Sequence, residues 1–300
     1  TYAKVFAVIQ KPLAIPVDPS TVVPVGTEDG DAGEFYRQAI KERMDNPVPY
    51  EKFGKQENKA NFDLKKLAAL DFLVKARKCK SYNLFKPDEL VNYNNDEPRL
   101  DALDDVGKLC SVVGMLYNPK FKVHDNPEEA RKLWEAEFVL GRHFYEERIT
   151  WMELGYGLGL MSEGARNLQQ FYTDIQKDPS EADAIEKFIV AETEYQADVV
   201  KAFTLIGGVD ENSVGQYAGD IFAIAAAKPG TPYAAADSMW RVEAIKHVGK
   251  YRFNALTNGD QLAARKVLSK MAADSTLSGP VKAAATAAHE LTEEKYHAFG

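Results

Sequence analysis

The sequence predicts an all-α protein built from helical hairpins, arranged as a bundle or a short array, with an extended Pro-rich arm at its N-terminus. Three observations predict it. After residue 30, apolar residues recur at spacings of three and four, the period of a helix with one buried face. Helix punctuation accompanies that period: Asn126-Pro127-Glu128-Glu129 combines an amide cap, a proline at the first helical position and acids in the first turn. Beyond residue 30 no alternating apolar and polar run is long enough to support a sheet.

Composition sets the class. Of the 300 residues, 45% are hydrophobic and 27% charged, ordinary values for a globular chain. A chain of this length buries most of its apolar surface in one or two domains. Its 37 basic and 45 acidic residues leave a net charge of -8, which argues against nucleic-acid binding, since that requires a basic face to meet phosphate. The most apolar stretch, Ile221 to Ala227, is closed by Lys228-Pro229-Gly230 and is too short to span a bilayer. The chain opens on Thr1 with no initiator Met. Its Pro-rich opening suits a spacer after a removed signal peptide or anchor, and a trimmed chain is the other reading. An extracytoplasmic or membrane-anchored location is therefore expected ahead of a cytoplasmic one.

Residues 1–30 form the arm. Pro12, Pro16, Pro19 and Pro24 alternate with Val and Ile, and proline, lacking an N–H, excludes a helix interior or a central strand. The apolar residues between the prolines suit packing along the body. Residues 31–300 are expected as a single helical domain, with a sub-boundary near 118–127 as the other option. The first helix starts at Asp31, spaced from Glu34 as a capping box, and presents Phe35, Tyr36, Ala39, Ile40 and Met44. Residues 45–60 read as a loop. A second helix runs from Asp63 to about Lys80, and a long connection follows, with a helical turn around Pro87. The stripe Leu103, Val106, Leu109, Cys110, Val113 and Leu116 defines a helix over 100–117.

From Pro127 the helical pattern persists to about Tyr172, too long for one helix in a compact fold at about 1.5 Å per residue. An antiparallel pair broken near Ile149-Thr150-Trp151 is the simplest reading, although no Pro or Gly marks the break. Further helices are expected over 179–205, 213–227, 233–256, 261–273 and 281–290, with a last turn capped by Thr292. Cys79 and Cys110 each fall on the apolar face of an expected helix and read as reduced, buried thiols. A single disulfide is the alternative.

Two stretches resemble helical-repeat proteins in construction. Leu140-Gly141 followed by Phe144-Tyr145-Glu146 resembles the core of a tetratricopeptide helix, without the rest of that 34-residue signature. Leu268 to Ala288 is similar to the junction between two HEAT-type helix pairs. The resemblance implies stacked helix pairs with an extended concave face.

Few constellations suggest chemistry. His289-Glu290-x-x-Glu293 has Glu where a zincin needs its second His, and Glu294-x-x-His297 supplies half of a di-iron pair at a chain end. No metal or cofactor is expected. His143, Glu146 and Glu147 share one helix face between Arg142 and Arg148, where a carboxylate-held His would serve as a general base. The same cluster suits a charged face or an ion-paired helix contact. His247 reads as a partly buried helical histidine. Gly155-Tyr156-Gly157-Leu158-Gly159 lacks the strand that a nucleotide loop requires, so Gly155 and Gly159 are read as a tight helix crossing. Most aromatics are expected in the core, with Tyr156, Tyr172 and Tyr195 as candidates for a concave surface. The expected function is non-enzymatic: binding of a protein partner, as yet unidentified, or support of an assembly. The alternative is an enzyme or small-ligand binder with its site around His143, Glu146 and Glu147.

Overall fold

The computed structural model describes residues 14–47, 67–86, 98–121, 125–207, 224 and 237–297. Among them nine α-helices pack on one another, beside one small two-stranded sheet, giving an all-α, bundle-like fold that is 79% helical. No helix among these residues is long and apolar enough to cross a membrane. The expectations for residues 1–13 and for the turn at Pro87 lie outside the described residues, as does all of the 213–227 helix except Ile224.

The chain enters along the body. Ile15, Val22 and Val23 are buried, and Asp18 opens a short 3-10 turn, Pro19–Thr21, by accepting the Ser20 N–H. Strand β1 (Glu28–Asp31) pairs in parallel with β2 (Cys79–Ser81). Helix α1 (Ala32–Asp45) follows, and its cap Asp31 accepts N–H groups from Gly33 at 3.0 Å and from Asn83 at 2.8 Å. One carboxylate thus starts the helix and ties it to the segment after β2.

Helix α2 (Ala68–Ala76) stops short of Lys80, the expected end. The backbone beyond it is claimed by β1, where the Glu28 N–H donates to the Lys78 carbonyl. Cys79 therefore lies on a strand and not on a helix. It and Cys110 are free, buried thiols.

Helices α3 (Pro98–Tyr117), α4 (Pro127–Glu147) and α5 (Trp151–Phe171) form the centre. The break between α4 and α5 falls at Arg148-Ile149-Thr150. Arg148 adopts positive φ, 23°, and Thr150 caps α5 by accepting the Glu153 N–H at 3.3 Å. The Glu153 carboxyl reaches back to the Ile149 N–H at 2.6 Å. Thr150-x-x-Glu153 is a capping-box spacing, so a helix start supplies the break that neither Pro nor Gly marks.

A π-helical turn (Tyr172–Gln176) leads into α6 (Pro179–Gly207). The helix expected over 233–256 is instead α7 (Ser238–Lys246), a π turn (His247–Arg252) and a 3-10 turn (Phe253–Ala255). Helix α8 (Asn258–Ala273) starts ahead of the expected Gln261, because Thr257 accepts the Asp260 N–H and draws Asn258 and Gly259 into the first turn. Helix α9 (Gly279–His297) is continuous. Thr292 caps nothing there: it is buried within the helix and its hydroxyl donates to the His289 carbonyl at 3.0 Å.

Helix α4 is buried on every side from Ala136 to Tyr145. A helix of this kind belongs to a core. Its closest neighbour is α5, antiparallel to it. A Cβ placed on Gly141 would lie 2.7 Å from the Gly157 carbonyl and 2.7 Å from the Met161 nitrogen; one on Gly157 would lie 2.8 Å from the Gly141 carbonyl. Two backbones meet here with no room for a side chain. The crossing expected at Gly155 and Gly159 is therefore displaced. Both are exposed, and a Cβ on either meets nothing within 4 Å.

This geometry sets opposite outcomes for neighbouring glycines. Gly157→Ala should destabilise by about 1–3 kcal/mol through overpacking. Gly159→Ala should stabilise by up to about 1 kcal/mol through helix propensity alone. Chemical denaturation of both variants checks the pair, and equal effects would contradict the assigned seam.

Candidate functional site

Helical spacing sorts the ionisable residues at the end of α4 onto two faces. Arg142 and Glu146, four apart, turn towards the N-terminal arm. The buried Arg142 guanidinium donates to the Val23 carbonyl at 2.5 Å and lies 3.9 Å from the exposed Glu146 carboxylate. Between these faces the Tyr145 hydroxyl accepts the Ile15 N–H at 2.8 Å. These contacts meet the arm's buried backbone groups, as burial demands.

His143 and Glu147 turn the other way, towards α1 and the segment after β2. His143 is buried, and its Nδ1 shares a 2.8 Å hydrogen bond with the Tyr36 hydroxyl. Its ring stacks on Tyr82 at 4.7 Å with the planes 8° apart, and Tyr36 meets both rings edge-on. Burial, helped by the neighbouring Arg142 guanidinium, pushes the imidazole down to about 3. Spacing along the helix pairs His143 with a carboxylate and makes it a general base. The structure instead gives it a phenol as partner and keeps it neutral at pH 7, too weak a base for that role.

Glu147 meets a residue that spacing alone did not bring to it. The turn at Arg148 folds Glu153 of α5 back against Glu147, so the two carboxyls interact directly. The Tyr82 hydroxyl lies against the same pair. Glu153 is 0% exposed, while Glu147 and Tyr82 are half-buried and keep an edge at the surface. Burial raises both carboxyls, Glu153 well above the usual carboxylate range, and Glu147 raises it further. Each carboxyl thus disfavours ionisation of the other.

At the α4–α5 turn, polar groups of three residues from three segments thus lie beside one another, and Glu147 and Tyr82 keep an edge at the surface.

The remaining sequence candidates stay apart. Among the described residues no three His, Cys, Asp or Glu side chains group as metal ligands would. His124 lies outside those residues, and His247 and His289 are half-buried on separate helices. Tyr156 donates to Asp101 of α3 at 2.5 Å, Tyr172 packs edge-on to Phe171, and Tyr195 is buried against Tyr145. These three tyrosines occupy separate contacts and form no shared surface.

Tyr36, Tyr82 and Glu153 carried no functional signal in the sequence. Only Glu153 had one available, its place in the Thr150 capping box.

The lowered His143 fixes a sign. Above pH 6.5 the imidazole is neutral in both folded and unfolded chains. As pH falls from 6.5 towards 3 only the unfolded chain takes up the proton, so this group withdraws stability over that window. In a histidine-resolved NMR titration, the His143 resonances should stay constant from pH 8 to 5; a midpoint near 6.5 would refute the buried Tyr36–His143 pair. Compared with protein-family models, curated proteins and solved structures, the chain matches none of them.

Proposed function

We propose that the chain binds a small polar ligand at the α4–α5 turn, using Glu147 and Glu153 with Tyr82, on a rigid backing of His143 and Tyr36. The observation that carries this reading is the grouping of two carboxyls and a phenol from three segments beside an edge of the surface. The backing suits binding: aromatic packing and the Tyr36–His143 bond fix the Tyr82 ring, and a preformed site loses little ordering entropy when occupied. His143 has a positioning role here, and Glu146, turned to the arm, has none. Partner binding, the role first expected from helix-hairpin construction, draws on that construction alone.

The test is thermal stabilisation of the full chain by a panel of small amines, carboxylic acids, polyols and nucleosides, repeated on Glu147→Gln. The expected result is that at least one class raises Tm in the wild type and loses that effect in the variant. Stabilisation that persists undiminished in Glu147→Gln, or none from any class, would remove the proposal.

A further inference from the structure

Three rings from three segments meet behind the α4–α5 turn, and one of them reaches solvent. Tyr36 of α1 is 1% exposed, and its hydroxyl lies 2.8 Å from His143 Nδ1. No other acceptor among the described residues meets that hydroxyl. Its O–H therefore points at Nδ1, and the neutral imidazole carries its own proton on Nε2. The imidazole stacks on Tyr82 with ring centres 4.7 Å apart, and Tyr82 stands 5.8 Å from Tyr36. Tyr82 is half-buried and keeps an edge at the surface. A buried phenol thus has a nitrogen base on its proton and a neighbouring aromatic ring leading outward.

Other described rings lack one of these parts. The Tyr145 hydroxyl accepts the Ile15 N–H, and the Trp134 indole donates to the Ser111 carbonyl, which takes up no proton near neutral pH. Tyr156 does have a base, the Asp101 carboxylate at 2.5 Å, but that pair is exposed.

We infer that Tyr36 and His143 form a one-electron redox site, entered through Tyr82 by small one-electron oxidants such as peroxyl radicals or oxidised metal complexes. An electron passes from Tyr36 by way of the Tyr82 ring to the oxidant, which is reduced by one electron. As it leaves, the Tyr36 O–H bond breaks and the proton moves along the hydrogen bond to His143 Nδ1. The products are a neutral phenoxyl radical at Tyr36, an imidazolium at His143 and the reduced oxidant. One electron from a reductant such as ascorbate restores the phenol, and the proton returns to its oxygen. Nothing in this step requires a ligand at Glu147 or Glu153.

The environment suits such a cycle. Burial and the Arg142 guanidinium leave His143 a weak base, pushed down to about 3. An oxidised phenol is a far stronger acid than a neutral one, so this weak base still takes its proton. Once Tyr36 is reduced, the same surroundings drive the proton back. Burial also keeps water and the rings of other chains away from the radical, which closes off its side reactions.

The experiment is one-electron oxidation of the full chain by photogenerated ruthenium(III) tris-bipyridine, followed by freezing and electron paramagnetic resonance. A tyrosyl signal that outlasts that of free tyrosine under the same conditions is expected. Nitrogen-15 labelling of histidine should alter its hyperfine pattern, because Nδ1 lies on the hydrogen bond to the phenoxyl oxygen. Tyr36→Phe should remove the persistent signal, and Tyr156→Phe should leave it. Tyr82→Phe should slow its appearance, and so should deuterium oxide, since an O–H bond breaks. Absence of a persistent radical would overturn the inference. So would a persistent radical that survives Tyr36→Phe. Where Tyr36→Phe fails to fold by circular dichroism, the labelled wild type decides: a persistent signal indifferent to histidine labelling places the radical elsewhere and overturns the assignment.

Discussion

The contact on which the rest of the structure depends is the backbone-to-backbone approach of α4 and α5 at Gly141 and Gly157. Because neither position carries a side chain, the two helices close to a distance at which a Cβ on either would meet the partner's backbone within 3 Å. The seam continues at Gly164, where a Cβ would meet the Phe138 backbone nitrogen at 3.0 Å. With α5 this close on one side and α3 on another, Trp134 of α4 lies over Gly114 and donates from its indole to the Ser111 carbonyl at 3.3 Å. Phe138 meets Phe188 of α6 at a ring separation of 5.3 Å. Helix α4 is left with no solvent face over its central turns, as befits a bundle-like fold packed around one helix.

A helix buried all round imposes a constraint on its own polar residues. Arg142, His143 and Tyr145 cannot turn to water, so each must find a partner in the protein. Arg142 and Tyr145 find theirs in the entering arm, which has few backbone partners of its own because proline interrupts it. His143 finds Tyr36 of α1. The same tight turn that brings α5 back along α4 also folds Glu153 onto Glu147. The acidic pair is thus a consequence of the hairpin's closeness, and it has no basic partner among the described residues.

Much of this architecture is legible in the sequence because it is local. Asp31 before α1 and Asn126-Pro127 before α4 act within one turn of themselves, and the apolar stripe of α3 reads directly as its buried face. The crossing is less legible for a geometric reason. Gly155, Gly157 and Gly159 are equivalent in composition, but residues two apart on a helix point about 200° from each other. Only the phase of the helix in the bundle decides that Gly157 faces α4 while its neighbours face outward. The site is less legible still. His143 and Glu147 share a face by spacing, yet Tyr82 arrives from the strand segment after α2, and Glu153 arrives across a helix break. The end of α2 shows the same limit, since a strand pairing from a distant segment overrode local helix propensity at Cys79.

Native-state hydrogen exchange along α4 addresses the central claim most directly. If α4 is the helix about which the bundle closes, its amides from Ala136 to Tyr145 open only with global unfolding. They should then exchange among the slowest in the chain, with free energies that fall together under mild denaturant. Exchange through a lower, local opening, at rates like those of the exposed face of α8 or α9, would contradict the account.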